Sequence, residues 1–366
     1  MSKSCYIHIP FCKKICNYCD FCKVFYDNRL VNSYLSSLKN EIKTCYQEEV
    51  LNTIYIGGGT PSSLNYHELE QLFKTLTVLK RTPDVEFTIE CNFDSIDKEK
   101  LLLFKKYGVN RLSFGLETTD TKSLTRINRD LDLNHVKDII KFARSIGFNN
   151  INLDLMYGFS FSSLAILKKD LDFILSLDVE HISTYSLIVS PHTKFYLDKV
   201  TNISDDKDLE MYHYIHDTLL HNGYKHYEIS NFAKPGYESK HNLVYWKNEQ
   251  YYGFGVSASS YLNNKRITNT KSITHYIDGH NKQEIEILSK TDKMIYEMIL
   301  GLRLKEGINI QEFKNKYGIY PSEVFNYQDL VKQNKIVVQN DHLYVPFSKW
   351  YVLNNILINF IEVNYE

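Results

Sequence analysis

The stretch His8-Ile9-Pro10-Phe11-Cys12-Lys13-Lys14-Ile15-Cys16-Asn17-Tyr18-Cys19-Asp20-Phe21-Cys22 places four cysteines within eleven residues of chain. The first three follow the spacing C-x3-C-x2-C. Neither helices nor strands use thiols at that density for packing, so the loop is built to wrap around something. Three thiolates on one short loop can hold three irons of a [4Fe–4S] cluster, leaving the fourth iron open to a small molecule. The competing reading is a zinc knuckle using all four thiols, with C-x2-C spacing at Cys16–Cys19 and Cys19–Cys22.

Outward from this loop, six short β-rich runs alternate with amphipathic helical stretches. The runs are Cys5–Ile9, Thr53–Gly57, Glu86–Glu90, Arg111–Gly115, Ile151–Met156 and His181–Leu187. Leu69, Leu72, Phe73 and Leu76 make one helical face, with Asn65 and Glu68 placed to cap its start. Val136, Ile139, Ile140, Ala143 and Ile146 make another, which Gly147 can close. A further helix carries Leu164, Leu167, Leu171, Ile174 and Leu175. Repeated βα units predict an α/β fold with a parallel sheet and outer helices, and six of them predict an open (β/α)6 partial barrel. The unusual residues then fall at strand ends. The cysteine loop follows the first strand and Gly57-Gly58-Gly59-Thr60-Pro61 the second; Glu90, Glu117, Asp154 and Tyr185 mark the next four. In barrel-like sheets that end of the strands forms the active mouth.

At 366 residues the chain can bury one large core and a smaller one. Lys+Arg 43 against Asp+Glu 44 excludes the basic field of a nucleic-acid binder. No apolar run reaches membrane-spanning length, Met1 stands too close to the first strand for a signal peptide, and the scattered Cys5, Cys45 and Cys91 fit a reducing cytoplasm. The βα rhythm stops near Gly223. The expected organisation is therefore a barrel over 1–223, a Gly- and aromatic-rich extension over 224–280, and a helical, winged-helix-like domain over 281–366. The last ends in a hairpin, Lys335–Val338 and His342–Val345, around Asn340-Asp341. Its 10 Lys+Arg against 11 Asp+Glu argue against DNA binding.

A triple glycine lets backbone approach a ligand without an intervening β-carbon, yet alone it is a weak signal. One βα unit after C-x3-C-x2-C, and extended to Gly57–Pro61, it becomes strong. Together with Tyr6-Ile7-His8-Ile9-Pro10-Phe11-Cys12, Gly108–Ser113, Asn128-Arg129, Asp154-Leu155-Met156-Tyr157-Gly158, Lys234–Tyr237 and His241-Asn242-Leu243-Val244-Tyr245-Trp246, it resembles one branch of the radical S-adenosylmethionine (SAM) superfamily. That branch holds oxygen-independent coproporphyrinogen III oxidase and the HemW-type haem chaperones, and the resemblance covers nearly the whole chain.

The resemblance implies a radical SAM partial barrel in which Cys12, Cys16 and Cys19 ligate the [4Fe–4S] cluster and SAM chelates its open iron. Tyr6, Tyr18, Gly58, Gly59, Thr60, Glu90, Glu117, Arg129 and Asp154 match the positions around SAM. His241, Tyr245 and Trp246 match the HNxxYW signature associated with haem; an imidazole can ligate iron and aromatic rings can pack on a porphyrin. The competing reading of that segment is an aromatic corner anchoring the extension to the barrel, with His241 a hydrogen-bonded structural residue. Implied partners are haem, a haem acceptor protein, an electron donor such as flavodoxin or ferredoxin, and peripheral contact with membrane proteins. Two activities follow: a haem-binding chaperone, or a dehydrogenase that oxidatively decarboxylates coproporphyrinogen III. The HNxxYW segment and the short run before the first strand, which leaves out an amino-terminal arm, favour the chaperone. Cys22 is an unusual extra thiol, Glu117 stands where relatives commonly have Gln, and 253–260 lacks a histidine often found there.

Overall fold

The computed structural model describes residues 3–361; the outer ends of the first and last expected domains, 1–2 and 362–366, lie outside the described residues. Six parallel strands form the centre: β1 (Ser4–Ile9), β2 (Leu51–Gly58), β3 (Arg81–Asn92), β4 (Arg111–Glu117), β5 (Ile151–Tyr157) and β6 (His181–Ser186). They pair in chain order, as repeated right-handed βα units require. Within each strand the pleat separates two chemistries. In β4, Leu112, Phe114 and Leu116 face the helices and join the core, whereas Arg111, Ser113, Gly115 and Glu117 line the barrel interior. In β5, Leu153 and Leu155 pack outward while Asn152 and Asp154 point in. Each fully buried Leu, Ile or Phe on the outer face contributes about 1.5–3 kcal/mol, so apolar packing holds the barrel together and its polar lining is free to serve a ligand.

The connecting helices begin and end as their sequences dictate. Asn65 and Glu68 form a reciprocal capping box at the start of the helix Tyr66–Leu76. The helix Leu133–Ser145 stops at Gly147, whose φ of 89° lets Gly147 and Phe148 bond back to the carbonyls of Arg144 and Ala143.

The sheet is wider than the βα rhythm predicts. β7 (Lys225–Glu228), β8 (Asn231–Ala233) and β9 (Tyr252–Phe254) extend it to nine strands in the order β9-β1-β2-β3-β4-β5-β6-β8-β7. β9 runs parallel to β1, and β8 runs antiparallel to both β6 and β7. The stretch expected as an extension thus supplies both edges of the barrel sheet. Strands of three or four residues have too little apolar run to be read from periodicity, and their partners lie far away in sequence.

Beyond the sheet, helices Lys290–Gly301, Ile310–Tyr317 and Gln328–Lys332 combine with a three-stranded sheet into a winged-helix-like unit. Its hairpin, Val337–Gln339 with His342–Tyr344, turns at Asn340 and Asp341, whose φ values of 51° and 60° are those of a tight primed turn. The expected hairpin lacks the third strand, Ile308–Asn309, which is only two residues long. No described helix is long and apolar enough to cross a membrane.

Candidate functional site

A cavity of about 460 Å³ opens at the carboxyl ends of the strands and reaches down into the barrel. Cys12, Cys16 and Cys19 line its mouth together with Tyr18, Gly58, Gly59, Thr60, Glu90, Glu117, Arg129 and Asp154. Eleven residues singled out from the sequence therefore meet in one space.

The cysteine loop is held by its neighbours. Short strands Phe11–Cys12 and Val24–Phe25 pair in parallel and close its ends. Asn17 donates its backbone N–H to the Ile127 carbonyl at 3.1 Å, Asn128 Nδ2 donates to the Ile15 carbonyl at 2.8 Å, and Arg129 Nε donates to Cys16 Sγ at 3.2 Å. The Asn128-Arg129 pair thus ties the loop to the end of β4. Arg129 also donates to the Gly115 carbonyl (2.9 Å) and to Asn92 Oδ1 (2.8 Å), and it pairs with Glu117 at 3.4 Å. At Gly115 a β-carbon would meet the Arg129 guanidinium and the Glu117 carboxylate, each at 2.9 Å, so a larger residue would displace the pair.

The triple glycine has a physical reason at each position. A β-carbon on Gly57 would lie 2.8 Å from the Glu90 carboxyl, and one on Gly59 would lie 2.9 Å from Cys12 Sγ. Gly58 adopts φ 123°, and a β-carbon there would strike the His8 ring at 2.8 Å. The backbone can therefore press against both the carboxylate and the thiol. Glu90 accepts from the Tyr55 hydroxyl at 2.8 Å and from the Gly58 N–H at 3.0 Å. Burial, reinforced by the charge of Asp154, pushes Glu90 up to about 7. Burial, reinforced by Glu117, pushes Asp154 up to about 6, while Asn152 Nδ2 donates to it at 2.8 Å.

Three observations bear on which group the residues fit. Gly58 and Gly59 pack against His8, Pro10 and Cys12 too closely for a β-carbon, and they present bare backbone to the cavity beside the Cys12 thiol. Among the described residues, no three His, Cys, Asp or Glu side chains gather on one point as a single-ion site requires. Cysteines that each bind a different iron of a cluster have no such need, so the arrangement suits a cluster better than one zinc ion. Cys22 lies apart: its Sγ turns 3.6 Å from the Lys271 carbonyl and does not line the cavity. Cys12, Cys16 and Cys19 are thus the residues that would hold a [4Fe–4S] cluster.

Tyr6 is not at the cavity wall. Its hydroxyl bonds His8 Nδ1 at 2.9 Å, and its ring stacks on Tyr55, itself a lining residue (centroids 6.2 Å apart). His241, Tyr245 and Trp246 lie on the helix Lys240–Trp246, which closes the other end of the barrel. Glu86 of β3 accepts the N–H groups of Lys240 and His241 at 3.0 and 2.9 Å. His241 is buried, with Nδ1 2.7 Å from Thr53 Oγ1 and Nε2 2.9 Å from the Tyr245 hydroxyl. Burial, then the charge of Arg111, pushes its ring down to about 3. Both ring nitrogens are engaged, so this conformation offers none to an iron. The Trp246 indole N–H is buried near Glu228 without a hydrogen bond of good geometry. These are contacts of the kind that the anchoring-corner reading of the segment expects.

The interior also holds groups to which the sequence reading assigned no role at the site. Ser113, Asn152, Ser183, Tyr185 and Asn242 line the cavity, as does Arg111, whose buried Nε has no hydrogen-bond partner among the described residues. Polar residues alternating with apolar ones along β4, β5 and β6 were the available signal.

The fold and the cysteine-lined mouth define the radical SAM class, and the chain matches the Radical SAM superfamily over residues 6–174 and the HemN C-terminal domain over 288–346. It is 36% identical to the haem chaperone HemW of Lactococcus lactis subsp. lactis (strain IL1403), with 99% of this chain and 98% of the relative covered. Identity to HemW of Bacillus subtilis (strain 168) is 43% over 86% of this chain and 87% of the relative. The chain belongs to the HemW family of radical SAM proteins. Its fold is also that of coproporphyrinogen III oxidase (HemN) from Escherichia coli, with a TM-score of 0.84, 22% identity, and coverage of 98% and 89% of the two chains.

Proposed function

We propose that the chain is a haem-binding chaperone that carries a SAM-coordinated [4Fe–4S] cluster on Cys12, Cys16 and Cys19 and passes haem to an acceptor protein. The observation that carries this reading is the meeting of those thiols with Glu90, Glu117, Arg129 and Asp154 in one cavity, in a chain of this family. When bound, the cluster supplies one-electron reduction of the SAM sulfonium, and an external donor such as flavodoxin or ferredoxin supplies the electron.

The protein's own residues do the seating. The Gly58–Gly59 backbone gives the amino-acid end of SAM a close approach, and Thr60 Oγ1, 3.5 Å from Cys12 Sγ, steadies that thiol. Glu90 accepts the ammonium; it needs one such cationic partner to remain ionised in a buried site. Glu117 and Asp154 accept from ribose hydroxyls, and Arg129 pairs with Glu117 and holds the cysteine loop in place. The free cysteines fit a reducing cytoplasm, with membrane proteins met only at their surface.

The test is anaerobic reconstitution followed by separate titrations with haem and with coproporphyrinogen III plus SAM and a low-potential reductant. The expected result is about four irons per chain, a haem-dependent Soret band and no protoporphyrinogen IX. Turnover of coproporphyrinogen III without haem binding would replace the chaperone by the dehydrogenase.

A further inference from the structure

The floor of the barrel cavity holds a cation that no protein group pairs with. Arg111 opens β4 on its inward face, and the strand register sets its depth. Glu90 pairs with Ser113 and Asp154 with Gly115, so Arg111 lies one inward layer below Glu90 and two below Asp154. Each layer spans two residues, roughly 6.6 Å of strand. The side chain lines the cavity although the residue is only 2% exposed. Its Nε is buried without a partner, and its guanidinium forms no ion pair or hydrogen bond among the described residues. Thr88, its partner in the β3–β4 register, carries a second buried atom, Oγ1, with no hydrogen-bond partner among the described residues.

The acceptors around the floor are already taken. Burial, then the charge of Arg111, pushes His241 and His181 down, and both rings are engaged at each nitrogen. Asn152 Oδ1 accepts from His181 and from Ser183. Glu90 accepts from Tyr55 and Gly58, and Asp154 accepts from Asn152. Asn242 reaches the same cavity from the helix Lys240–Trp246, and its side-chain amide has no partner among the described residues. A buried guanidinium without an acceptor is costly, and a ligand that brings an anion removes that cost.

We propose that Arg111 and Asn242 form a carboxylate subsite at the cavity floor, below the SAM position, for a small molecule other than SAM. The guanidinium fork takes the carboxylate through two N–H donors, and Asn242 Nδ2 adds a third. One unpaired positive charge, with Glu90 and Asp154 in the layers above, suits a monoanion and disfavours a phosphate dianion. At about 460 Å³ the cavity lies toward the lower end of small-molecule sites. A ligand sharing it with SAM therefore presents a short carboxylate arm to the floor rather than a whole ring system. The subsite rests on the reading that SAM occupies the mouth, where its ammonium on Glu90 relieves the repulsion that an incoming carboxylate meets. It also gives the HNxxYW segment a part in the cavity: His241, satisfied by Thr53 and Tyr245, fixes the helix that carries Asn242.

The test is saturation-transfer nuclear magnetic resonance on the full-length, cluster-loaded protein, with propionate as the probe and with or without saturating SAM. Propionate should bind in both conditions, and propionamide, of the same shape without the charge, should not. Arg111→Gln should weaken propionate binding by at least about tenfold, and Asn242→Ala by about threefold. Arg111→Lys keeps the charge and loses the fork, so it should fall between the wild type and Arg111→Gln. Iron content of each variant is read alongside, and the comparison of propionate with propionamide needs only the wild type. Equal binding of the two probes, or propionate binding unchanged in Arg111→Gln, would overturn the subsite. Displacement of propionate by SAM would give the floor to SAM's own carboxylate and overturn the subsite, with the SAM reading left standing. Tighter binding of inorganic phosphate than of propionate would overturn the carboxylate assignment. Propionate binding in a protein whose cluster spectrum does not respond to SAM would overturn the SAM reading alone.

Discussion

The two ends of the barrel contain the same kinds of side chain and treat them in opposite ways. At the closed end, every strong hydrogen-bonding atom of His241 has a protein partner, and Glu86 is taken up by the first turn of the helix that plugs the barrel. His181 is likewise engaged at both nitrogens, by Asn152 at 2.6 Å and by the Tyr227 hydroxyl at 2.8 Å. At the open end the thiols and Glu117 crowd a cavity with Glu90 and Asp154, whose proton affinity is raised by burial and further by neighbouring carboxylates. A group satisfied by its own protein is part of the scaffold; one left facing a cavity at a cost in free energy is kept for a ligand. The presence of a histidine in a recognisable motif does not separate the two cases, and its hydrogen-bond partners do.

The largest effect expected at the open end comes from its thiols. Cys12→Ala, Cys16→Ala and Cys19→Ala should each reduce iron and sulfide after anaerobic reconstitution to background, whereas Cys22→Ala should keep them near the wild-type level. A Cys22→Ala protein that takes up no iron would place that thiol among the ligands and close the open iron.

At the closed end the expected loss is stability without loss of the cluster. His241→Ala removes two buried hydrogen bonds and leaves a hole, at a cost of about 2–4 kcal/mol in urea unfolding. Tyr245→Phe removes one hydroxyl and should cost about 1 kcal/mol. Normal iron content in both variants sharpens the contrast between the ends; cluster loss in Tyr245→Phe would break it.

A smaller, pH-dependent effect separates Glu90 from ordinary surface carboxylates. Its proton affinity is raised in the folded state, so between the usual carboxylate range and about pH 7 the native protein holds a proton that the unfolded chain has released. Stability contributed by this group therefore falls as pH rises through that window. Buried histidines titrate in the opposite sense, so the effect is read as the difference between the ligand-free wild type and Glu90→Gln. That difference should favour Glu90→Gln increasingly as pH rises to 8, and saturating SAM should shrink it by supplying a cation. A pH-independent difference would mean that Glu90 is ionised throughout.

Much of this contrast was legible in the chain before folding was considered. The six parallel strands announced themselves through apolar residues such as Ile54, Ile56, Leu153 and Leu155, and the cysteine spacing and triple glycine marked the open end. The closed end was harder. His241 finds Thr53 across 188 residues, a pairing no local pattern encodes. The edge strands 225–228, 231–233 and 252–254 were invisible because their partners, not their composition, make them strands. Arg111 sat inside a motif that was read as a signature, while its position on the inward face of β4 follows only from the alternation with Leu112 and Phe114.

The central claim is that the open end holds a cluster with one iron free for SAM, and electron paramagnetic resonance of the reduced, reconstituted protein tests it most directly. Saturating SAM should change the cluster's spectrum, and Asp154→Ala and Glu90→Ala should weaken that response while iron content stays near normal. A spectrum that saturating SAM leaves unchanged would contradict the account.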